Sequence, residues 1–284
     1  KRELNKLTQK VSQLRFLPGY LKRNRTIHFY AVRSMSRFFD SSTLFHFYPS
    51  LLSNSPTVYS FIIYLMVIGC HIASLFNKKV RLMVRGHHDT WRILRQQIGS
   101  DRYVWFHAAS LGEFEQGRPL MERLRRKHPE KKILLTFFSP SGYEVRKNYE
   151  GADVICYLPL DTPLNAKRFI KLARPEAAYF IKYEFWRNYI DYLHREDIPV
   201  YSVSSIFRPN QIFFRWYGKN YARVLHRMTH LFVQNETSRE LLATLGVNHV
   251  TVVGDTRMDR VIDIRNAAKP LPLVERFAGC WKVL

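Results

Sequence analysis

A single carboxylate, Glu113, stands where α/β proteins commonly carry out chemistry. The apolar run YVWFHA, residues 103–108, is typical of a buried strand, and small residues and an amphipathic stretch follow it. Ser110 and Gly112 leave room for a substrate, and ligands of open α/β sheets bind at the carboxyl ends of the strands. The alternative is an acidic residue that only complements the helix dipole in a first helical turn.

Five further segments follow predicted strands in the same way, so we expect their side chains at the same edge of the sheet. They are residues 136–144 (TFFSPSGYE), 157–163 (YLPLDTP), 182–188 (KYEFWRN), 233–236 (VQNE) and 254–259 (GDTRMD). Ser139, Ser141 and Gly142 are placed to donate hydrogen bonds to a phosphate at a helix N-terminus. An ordinary helix cap is the alternative for these three residues.

Strand and helix patterns alternate from residue 103 onward, which predicts an α/β fold with a mostly parallel sheet and helices on both faces. The strand candidates are YVWFHA, KKILLTFF, DVICYLP, AAYFIKY, PVYSVSS, HLFVQN and HVTVVG, and helices are expected to begin near Glu113, Ser141, Pro163, Trp186, Gln211 and Glu236. No GxGxxG or GxxxxGK(S/T) motif occurs, which disfavours a dehydrogenase or an ATPase. HExxH and GxSxG are also absent, so sugar transfer, nucleotide transfer or binding remain as candidate functions.

In order and spacing, HAASLGE (residues 107–113) and the five further segments resemble the acceptor half of the Kdo transferases, which attach 3-deoxy-D-manno-octulosonic acid (Kdo) to the lipid A precursor. The usual blocks of that family are H(S/A)xSxGE, TxTPTGxE, ETELWPN, QNEED and GN(L/I)KFD, and the resemblance covers about residues 58–284. It implies a GT-B glycosyltransferase with two Rossmann-like domains, the N-terminal one for the lipid acceptor and the C-terminal one for CMP-Kdo. It implies no metal and no cofactor.

The resemblance also implies roles for single residues. Glu113 is the general base that takes the proton of the acceptor hydroxyl while CMP leaves with inversion, and the helix N-terminus is expected to keep this carboxylate ionised. Lys182 and Arg257 align with residues that stabilise the transition state, although Lys182 replaces an acidic residue of ETELW. A solvated lysine and a surface ion pair are the respective alternatives. Substrate binding is expected at Ser110, Gly112, Ser139, Ser141, Gly142, Glu184 and Arg208, and Trp186 matches ETELW with a core position as its alternative.

The charge of the chain predicts an anionic partner. Lys and Arg number 45 against 23 Asp and Glu, which gives a formal net charge of +22. Nucleic acid, a membrane surface and a phosphorylated substrate would all fit this charge. A nucleic-acid-binding module and a different GT-B enzyme with another lipid-linked acceptor therefore stay open as alternatives. The resemblance favours CMP-Kdo, the anionic lipid A precursor and a membrane surface as partners, and no nucleic acid.

The spacing of the cysteines and histidines argues against a metal site. Cys70, Cys156 and Cys280 lie far apart, which fits a reducing compartment and no thiolate site. His87 and His88 have no third ligand in view, so a solvated surface pair is expected.

Residues 59–76 carry no charge, and about 18 apolar residues approach the length that spans a bilayer core. The basic residues Lys78, Lys79, Arg81 and Arg85 follow at once, as on the cytoplasmic side of a membrane segment. We therefore expect attachment to the cytoplasmic face of the inner (plasma) membrane, by spanning or by lying in the interface, with a buried core helix as the alternative.

The expected organisation has four parts. Residues 1–57, with ten basic and two acidic residues, form a basic extension of unassigned fold that need not be native sequence. Residues 58–80 form the anchor helix and residues 81–268 the Rossmann-like acceptor domain. Residues 269–284 are expected to be a linker at the start of a donor domain that this chain lacks, which would leave the chain a fragment without activity of its own.

Overall fold

The computed structural model describes residues 56–267, which contain a seven-stranded sheet. Its strands are β1 (Tyr103–Ala108), β2 (Lys132–Phe137), β3 (Val154–Tyr157), β4 (Pro175–Ile181), β5 (Val200–Ser205), β6 (His230–Val233) and β7 (Val250–Val252). They lie in the order β3-β2-β1-β4-β5-β6-β7, and every neighbouring pair is parallel. The seven strand candidates and the α/β class with a parallel, Rossmann-like sheet are confirmed. The expected basic extension, apart from its last two residues, and the expected linker lie outside the described residues.

The strand order reverses at β1, which lies between β2 and β4 in the interior of the sheet. All six residues of β1 are buried, as expected for a strand that is covered by helices on both faces. Trp105 packs against Phe169 and Phe180 on one face. On the other face Phe106 belongs to a core that includes Phe114. In such sheets the usual place for a ligand is where the strand order reverses, here at the carboxyl ends of β1 and β4.

Nine helices accompany the sheet within the described residues. They are α1 (Pro56–Phe76), α2 (Lys78–Gln97), α3 (Leu111–Lys127), α4 (Pro140–Arg146), α5 (Pro163–Ala173), α6 (Arg187–Arg195), α7 (Lys219–His226), α8 (Glu236–Ala243) and α9 (Arg257–Ala267). The helix starts predicted near Glu113, Ser141, Pro163, Trp186 and Glu236 are confirmed to within two residues.

The helix start predicted near Gln211 is wrong. Ile212–Phe214 and Trp216–Gly218 form short 3-10 turns, and α7 begins only at Lys219. Arg215 between the turns is extended, with φ −90° and ψ 147°. Phe213 packs against Phe185 and stacks on Tyr221, so tertiary packing of aromatic rings overrides the local helical pattern.

Helices α1 and α2 are separated at Asn77. This residue has extended backbone, and its side chain accepts hydrogen bonds from the N–H groups of Lys79 (2.9 Å) and Val80 (3.3 Å). Asparagine is a favoured N-cap, so a new helix starts at the next residue. The anchor helix expected over residues 58–80 lies across this break.

Helix α2 packs closely on the end of β3. At Gly86 a Cβ atom would lie 2.2 Å from the ring of Tyr157, so only glycine permits this approach. Thr90 Oγ1 donates a hydrogen bond to the carbonyl oxygen of Tyr157 at 2.8 Å. These contacts fix α2 to the sheet, although its sequence is rich in lysine and arginine.

Helix α1 has one buried and one exposed face. Tyr59, Ile63 and Ala73 are buried against the rest of the domain, and Tyr59 Oη donates a hydrogen bond to Asp161 Oδ2 at 2.7 Å. The opposite face exposes large apolar side chains, namely Phe61, Leu65, Ile68, Ile72 and Leu75. By length and composition, residues Thr57–Phe76 are sufficient to cross a membrane.

The two adjacent histidines of α2 differ in their exposure. His88 is exposed, as predicted, but the prediction of a solvated His87 is wrong: His87 is 8% exposed and contacts the rings of Phe138 and Tyr157. Burial lowers the pKa of His87 to about 3, so the ring is neutral. Cys70 and Cys156 are free and buried, whereas Cys280 lies outside the described residues. Among residues 56–267, no three His, Cys, Asp or Glu side chains are grouped to hold a metal ion.

Candidate functional site

The loops after β1 and β2 are bonded to each other at the carboxyl edge of the sheet. The N–H of Ser139 donates to the carbonyl oxygen of Ala109 at 2.8 Å. At Gly142 a Cβ atom would lie 2.3 Å from the ring of Phe137 and 3.1 Å from the backbone of Ser110. Gly142 is therefore required by the close approach of α4 to the neighbouring loop.

Gly112 differs from Gly142 because no atom lies within 4 Å of its hypothetical Cβ position. The space beside Gly112 is open. The hydroxyl oxygens of Ser139 and Ser141 lie 2.7 Å apart, and the Ser139 side chain makes no capping bond to α4. The side chain of Ser110 likewise leaves α3 uncapped. Hydroxyl groups therefore line this edge without serving as ordinary helix caps at Ser110 and Ser139.

The Glu113 side chain folds back onto the loop from which α3 begins. Its Oε2 accepts a hydrogen bond from the N–H of Ala109 at 2.5 Å. The residue is only 7% exposed. The backbone thus holds this carboxylate in one orientation at the carboxyl edge of the sheet.

Burial controls the protonation of Glu113. Burial raises its pKa well above the usual range, and the negative charge of Glu184 raises it further. The N–H of Ala109 and the positive charge of Lys182 act in the opposite direction. The expectation that the helix N-terminus keeps this carboxylate ionised is not met, because burial outweighs the N–H groups of Ala109 and Ser110. A carboxylate with a raised pKa is a stronger base when it is deprotonated.

Lys182 lies beside Tyr183, and the charges of Arg208, Arg257 and Glu113 act on this tyrosine. Lys182, directly after β4, has left-handed backbone with φ 63°, and its Nζ lies 5.8 Å from the centroid of the Tyr183 ring. Such backbone costs roughly 1–3 kcal/mol in a non-glycine residue, and Arg174, Asp197 and Ser204 share it. Burial raises the pKa of Tyr183, while the charges of Arg208 and Arg257 lower it and that of Glu113 raises it. The structure therefore brings four predicted residues from separate segments into electrostatic reach of one tyrosine.

Arg257 forms the surface ion pair that the sequence left open as an alternative. It is exposed, and its Nε donates to Asp255 Oδ2 at 2.8 Å. Asp255 Oδ1 also accepts a hydrogen bond from Gln116 Nε2 at 3.3 Å. Gln116 is buried on α3, one turn after Glu113. The guanidinium of Arg257 is thus tied through Asp255 to the helix that carries the carboxylate.

Glu184 and Trp186 are buried behind this edge. Trp186 Nε1 donates to Glu184 Oε2 at 2.6 Å, and His107 Nε2 lies 3.3 Å from the same oxygen. Glu184 is 1% exposed and Trp186 6%, so the core position of Trp186 is confirmed. Glu184 acts on Glu113 through its charge from inside the protein.

Four residues near the site were not singled out from the sequence: His107, Gln116, Tyr183 and Asp255. His107, Tyr183 and Asp255 belong to segments that were expected at this edge, so the sequence indicated their approximate location. Gln116 follows Glu113 by three positions, which places both on the same face of α3. The spacing of three residues could therefore have indicated that Gln116 lies near Glu113.

Comparisons with known sequences agree on one group of enzymes. Residues 83–260 match the sequence profile of a family described as 3-deoxy-D-manno-octulosonic-acid transferase (kdotransferase). A 3-deoxy-D-manno-octulosonic acid transferase from Aquifex aeolicus is 41% identical over 88 residues, which cover 31% of this chain and 24% of that protein. The protein of the same name from Haemophilus influenzae is 30% identical over 162 residues, 55% of this chain and 38% of that protein. The chain thus matches less than half the length of these curated relatives.

Among solved structures, a UDP-GlcNAc 2-epimerase from Methanocaldococcus jannaschii aligns with 64% of this chain and 54% of that chain. The TM-score is 0.46 and the sequence identity 15%.

Proposed function

The chain belongs to the 3-deoxy-D-manno-octulosonic acid (Kdo) transferase family, and we propose that it forms the acceptor-binding half of a GT-B glycosyltransferase that moves Kdo from CMP-Kdo to the lipid A precursor. The observation that carries this proposal is the buried carboxylate of Glu113 at the carboxyl edge of the sheet. Lys182 lies beside Tyr183 in the same place, and the charges of Arg208 and Arg257 act on this tyrosine. A base next to a group of cations suits a reaction between two anionic substrates.

In the proposed reaction Glu113 is the general base. Its carboxylate takes the proton of the acceptor hydroxyl while the hydroxyl oxygen bonds to the anomeric carbon of Kdo. The bond from that carbon to the phosphate of CMP breaks with its electron pair, and CMP leaves from the opposite face, so the configuration inverts. The raised pKa of Glu113 supports this role, because a carboxylate with a higher pKa is a stronger base once it is deprotonated.

The three cations are proposed to bind the anionic groups of the substrates. Lys182, Arg208 and Arg257 would contact acceptor phosphates or the carboxylate of the donor, and arginine pairs with such groups through two parallel hydrogen bonds. The hydroxyl groups of Ser139 and Ser141 would add neutral donors. Arg208 and Arg257 are exposed, so the binding they provide should weaken as salt is added.

Helix α1 is proposed to attach the protein to the cytoplasmic face of the inner membrane by lying in the interface. Its exposed face carries Phe61, Leu65 and Ile68 at helical spacing, while Tyr59 on the other face is bonded to Asp161 within the domain. A membrane-crossing arrangement would have to break that buried hydrogen bond. Four exposed basic residues follow directly, namely Lys78, Lys79, Arg81 and Arg85. Positive charges beside an apolar helix face suit anionic lipid headgroups.

The test is an assay of the protein in its full natural length with CMP-Kdo and a tetra-acylated lipid A precursor. We expect release of CMP and a product heavier by one or more Kdo units, and the product mass also gives the number of transfers. Transfer only to a different lipid-linked acceptor would favour another glycosyltransferase of the same architecture. Absence of transfer from CMP-Kdo to any acceptor would overturn the proposal.

A further inference from the structure

A row of buried polar side chains lies behind Glu113 and has no role in the reaction described so far. It contains Trp105 and His107 of β1, Thr136 of β2, and Glu184 and Trp186 after β4. The register of the parallel strands sets His107 directly opposite Thr136. Trp105, His107 and Thr136 are at most 1% exposed, so each polar atom of this row depends on its neighbours for hydrogen bonds.

The two tryptophans fix the direction of these hydrogen bonds, because an indole N–H can only donate. Trp105 Nε1 donates to Thr136 Oγ1 at 2.8 Å, and Trp186 Nε1 donates to Glu184 Oε2 at 2.6 Å. The hydroxyl proton of Thr136 then has two acceptors within reach. These are His107 Nδ1 at 2.9 Å and the carbonyl oxygen of Phe106 at 3.3 Å.

The shorter contact assigns the Thr136 proton to His107 Nδ1. Burial lowers the pKa of His107 to about 3, so the ring is neutral and carries a single proton. With Nδ1 acting as acceptor, that proton lies on Nε2, which is 3.3 Å from Glu184 Oε2. One oxygen of Glu184 therefore receives N–H groups from both His107 and Trp186.

We propose that His107 is a positioning residue that keeps Glu184 in its ionised form, so that of these two buried carboxylates Glu113 is the one that takes up the proton. The inference rests on the proposed function and adds to it a division of roles between Glu184 and Glu113. Donors that bond to the charged form of an acid favour that form. Two neighbouring carboxylates in unlike surroundings then differ in protonation, as acid and base partners in enzymes do.

The other groups that face these carboxylates do not remove the difference. Glu113 also faces the positive charge of Lys182, the hydroxyl of Tyr183 and the N–H groups of Ala109 and Ser110, and the charge of Glu184 acts on Tyr221. Lys182 and the two N–H groups favour ionisation of Glu113, and burial and the charge of Glu184 outweigh them. Among these influences on the pKa of Glu113, the charge of Glu184 is the one that His107 controls.

The first test is Thr136→Val in the protein of full natural length, read from the pH profile of kcat/KM. Without the hydroxyl, His107 loses the bond that fixes its tautomer, Glu184 becomes easier to protonate, and the acid limb moves to lower pH by about one unit. Thr90→Val is the matched control, because Thr90 is equally buried and bonds Tyr157 O outside the row. An unchanged profile in Thr136→Val, or an equal change in the control, would overturn the proposal.

A double-mutant cycle separates this role from a merely structural one. Glu184→Gln should move the acid limb in the same direction, and adding Thr136→Val to it should produce no further displacement, because the threonine acts through Glu184. Independent displacements that add would contradict the proposal.

The tautomer of His107 can be measured without activity. Nitrogen NMR shifts of the folded protein should show a neutral ring with a proton on Nε2 and none on Nδ1. A proton on Nδ1 would overturn the inference even if Kdo transfer is confirmed. The expected tautomer together with no Kdo transfer would instead place the failure in the proposed function.

Discussion

Opposing influences act on the carboxylate of Glu113. The backbone N–H of Ala109 and the charge of Lys182 favour its ionised form, while burial and the charge of Glu184 favour its protonated form. The fold therefore holds a carboxylate whose pKa is raised at some cost in stability. Such a conflict between local stability and protonation is common at catalytic positions.

This conflict predicts how Glu113 affects the stability of the folded protein. Its pKa is raised on folding, so the folded state loses stability as the pH rises from about 4.3, the ordinary value for glutamate, through the raised pKa. Glu113→Gln removes this loss. The free energy of unfolding of the variant, relative to that of the parent, should therefore increase by about 1 kcal/mol or more between about pH 5 and about pH 8. Urea unfolding at the two pH values measures the difference. A gap between variant and parent that does not change with pH would refute the prediction.

Arg257 should matter for binding more than for stability. Its ion pair with Asp255 is exposed on the arginine side, and exposed pairs contribute at most about 1 kcal/mol. Arg257→Met should therefore change the free energy of unfolding by less than about 1 kcal/mol but weaken binding of the lipid A precursor by about tenfold. Arg92→Met, which removes the exposed pair with Asp89 on α2, is the matched control. Equal binding by both variants in a titration would argue against a role for Arg257.

The secondary-structure elements that depend on a local sequence pattern could be predicted from the sequence. The seven strands are short apolar runs bounded by loops, so their positions could be recognised without tertiary information. The turns around Phe213 and the burial of His87 could not, because both depend on rings that come from distant parts of the chain. The contact between His107 and Thr136 likewise depends on which strands are neighbours.

Helix α1 should be fixed to the domain by Tyr59. The hydroxyl donates to Asp161, which is itself buried and also accepts the N–H groups of Asn188 and Tyr189 at the start of α6. Tyr59→Phe leaves this carboxylate with one donor fewer and should lower the free energy of unfolding by about 1–3 kcal/mol. Tyr64→Phe is the control on the same helix, since Tyr64 is 47% exposed. Equal stability of the two variants in urea unfolding would show that the bond does not hold α1.

At the scale of the whole molecule, a net charge of +22 and an exposed apolar helix face act together. Charge draws a protein to an anionic surface, and apolar side chains hold it there. These two features lie on different helices: α1 carries the exposed apolar face, and the start of α2 carries exposed lysine and arginine. Neither feature belongs to the proposed site at the carboxyl edge of the sheet.

Replacing Leu65 and Ile68 by serine should therefore weaken membrane binding without affecting the site. The expected result is a loss of about tenfold or more in binding to phosphatidylglycerol vesicles, because two large side chains no longer enter the lipid. Leu164→Ser on α5 is the control, as Leu164 is an exposed leucine outside α1. Vesicle sedimentation at low and high salt measures both contributions. Full binding by the double variant would place the membrane contact elsewhere.

The most direct test of the account compares Glu113→Gln with Glu115→Gln in the protein of full natural length. Glu115 lies two positions away on α3 and pairs with Arg146 at 2.7 Å, so its replacement makes the same chemical change at a carboxylate outside the proposed site. With CMP-Kdo and the lipid A precursor as substrates, Glu113→Gln should lower the rate of transfer by roughly 100-fold or more, because glutamine cannot accept the proton. Glu115→Gln should retain most of the activity. More than about a tenth of the parent rate in Glu113→Gln would contradict the assignment of the base.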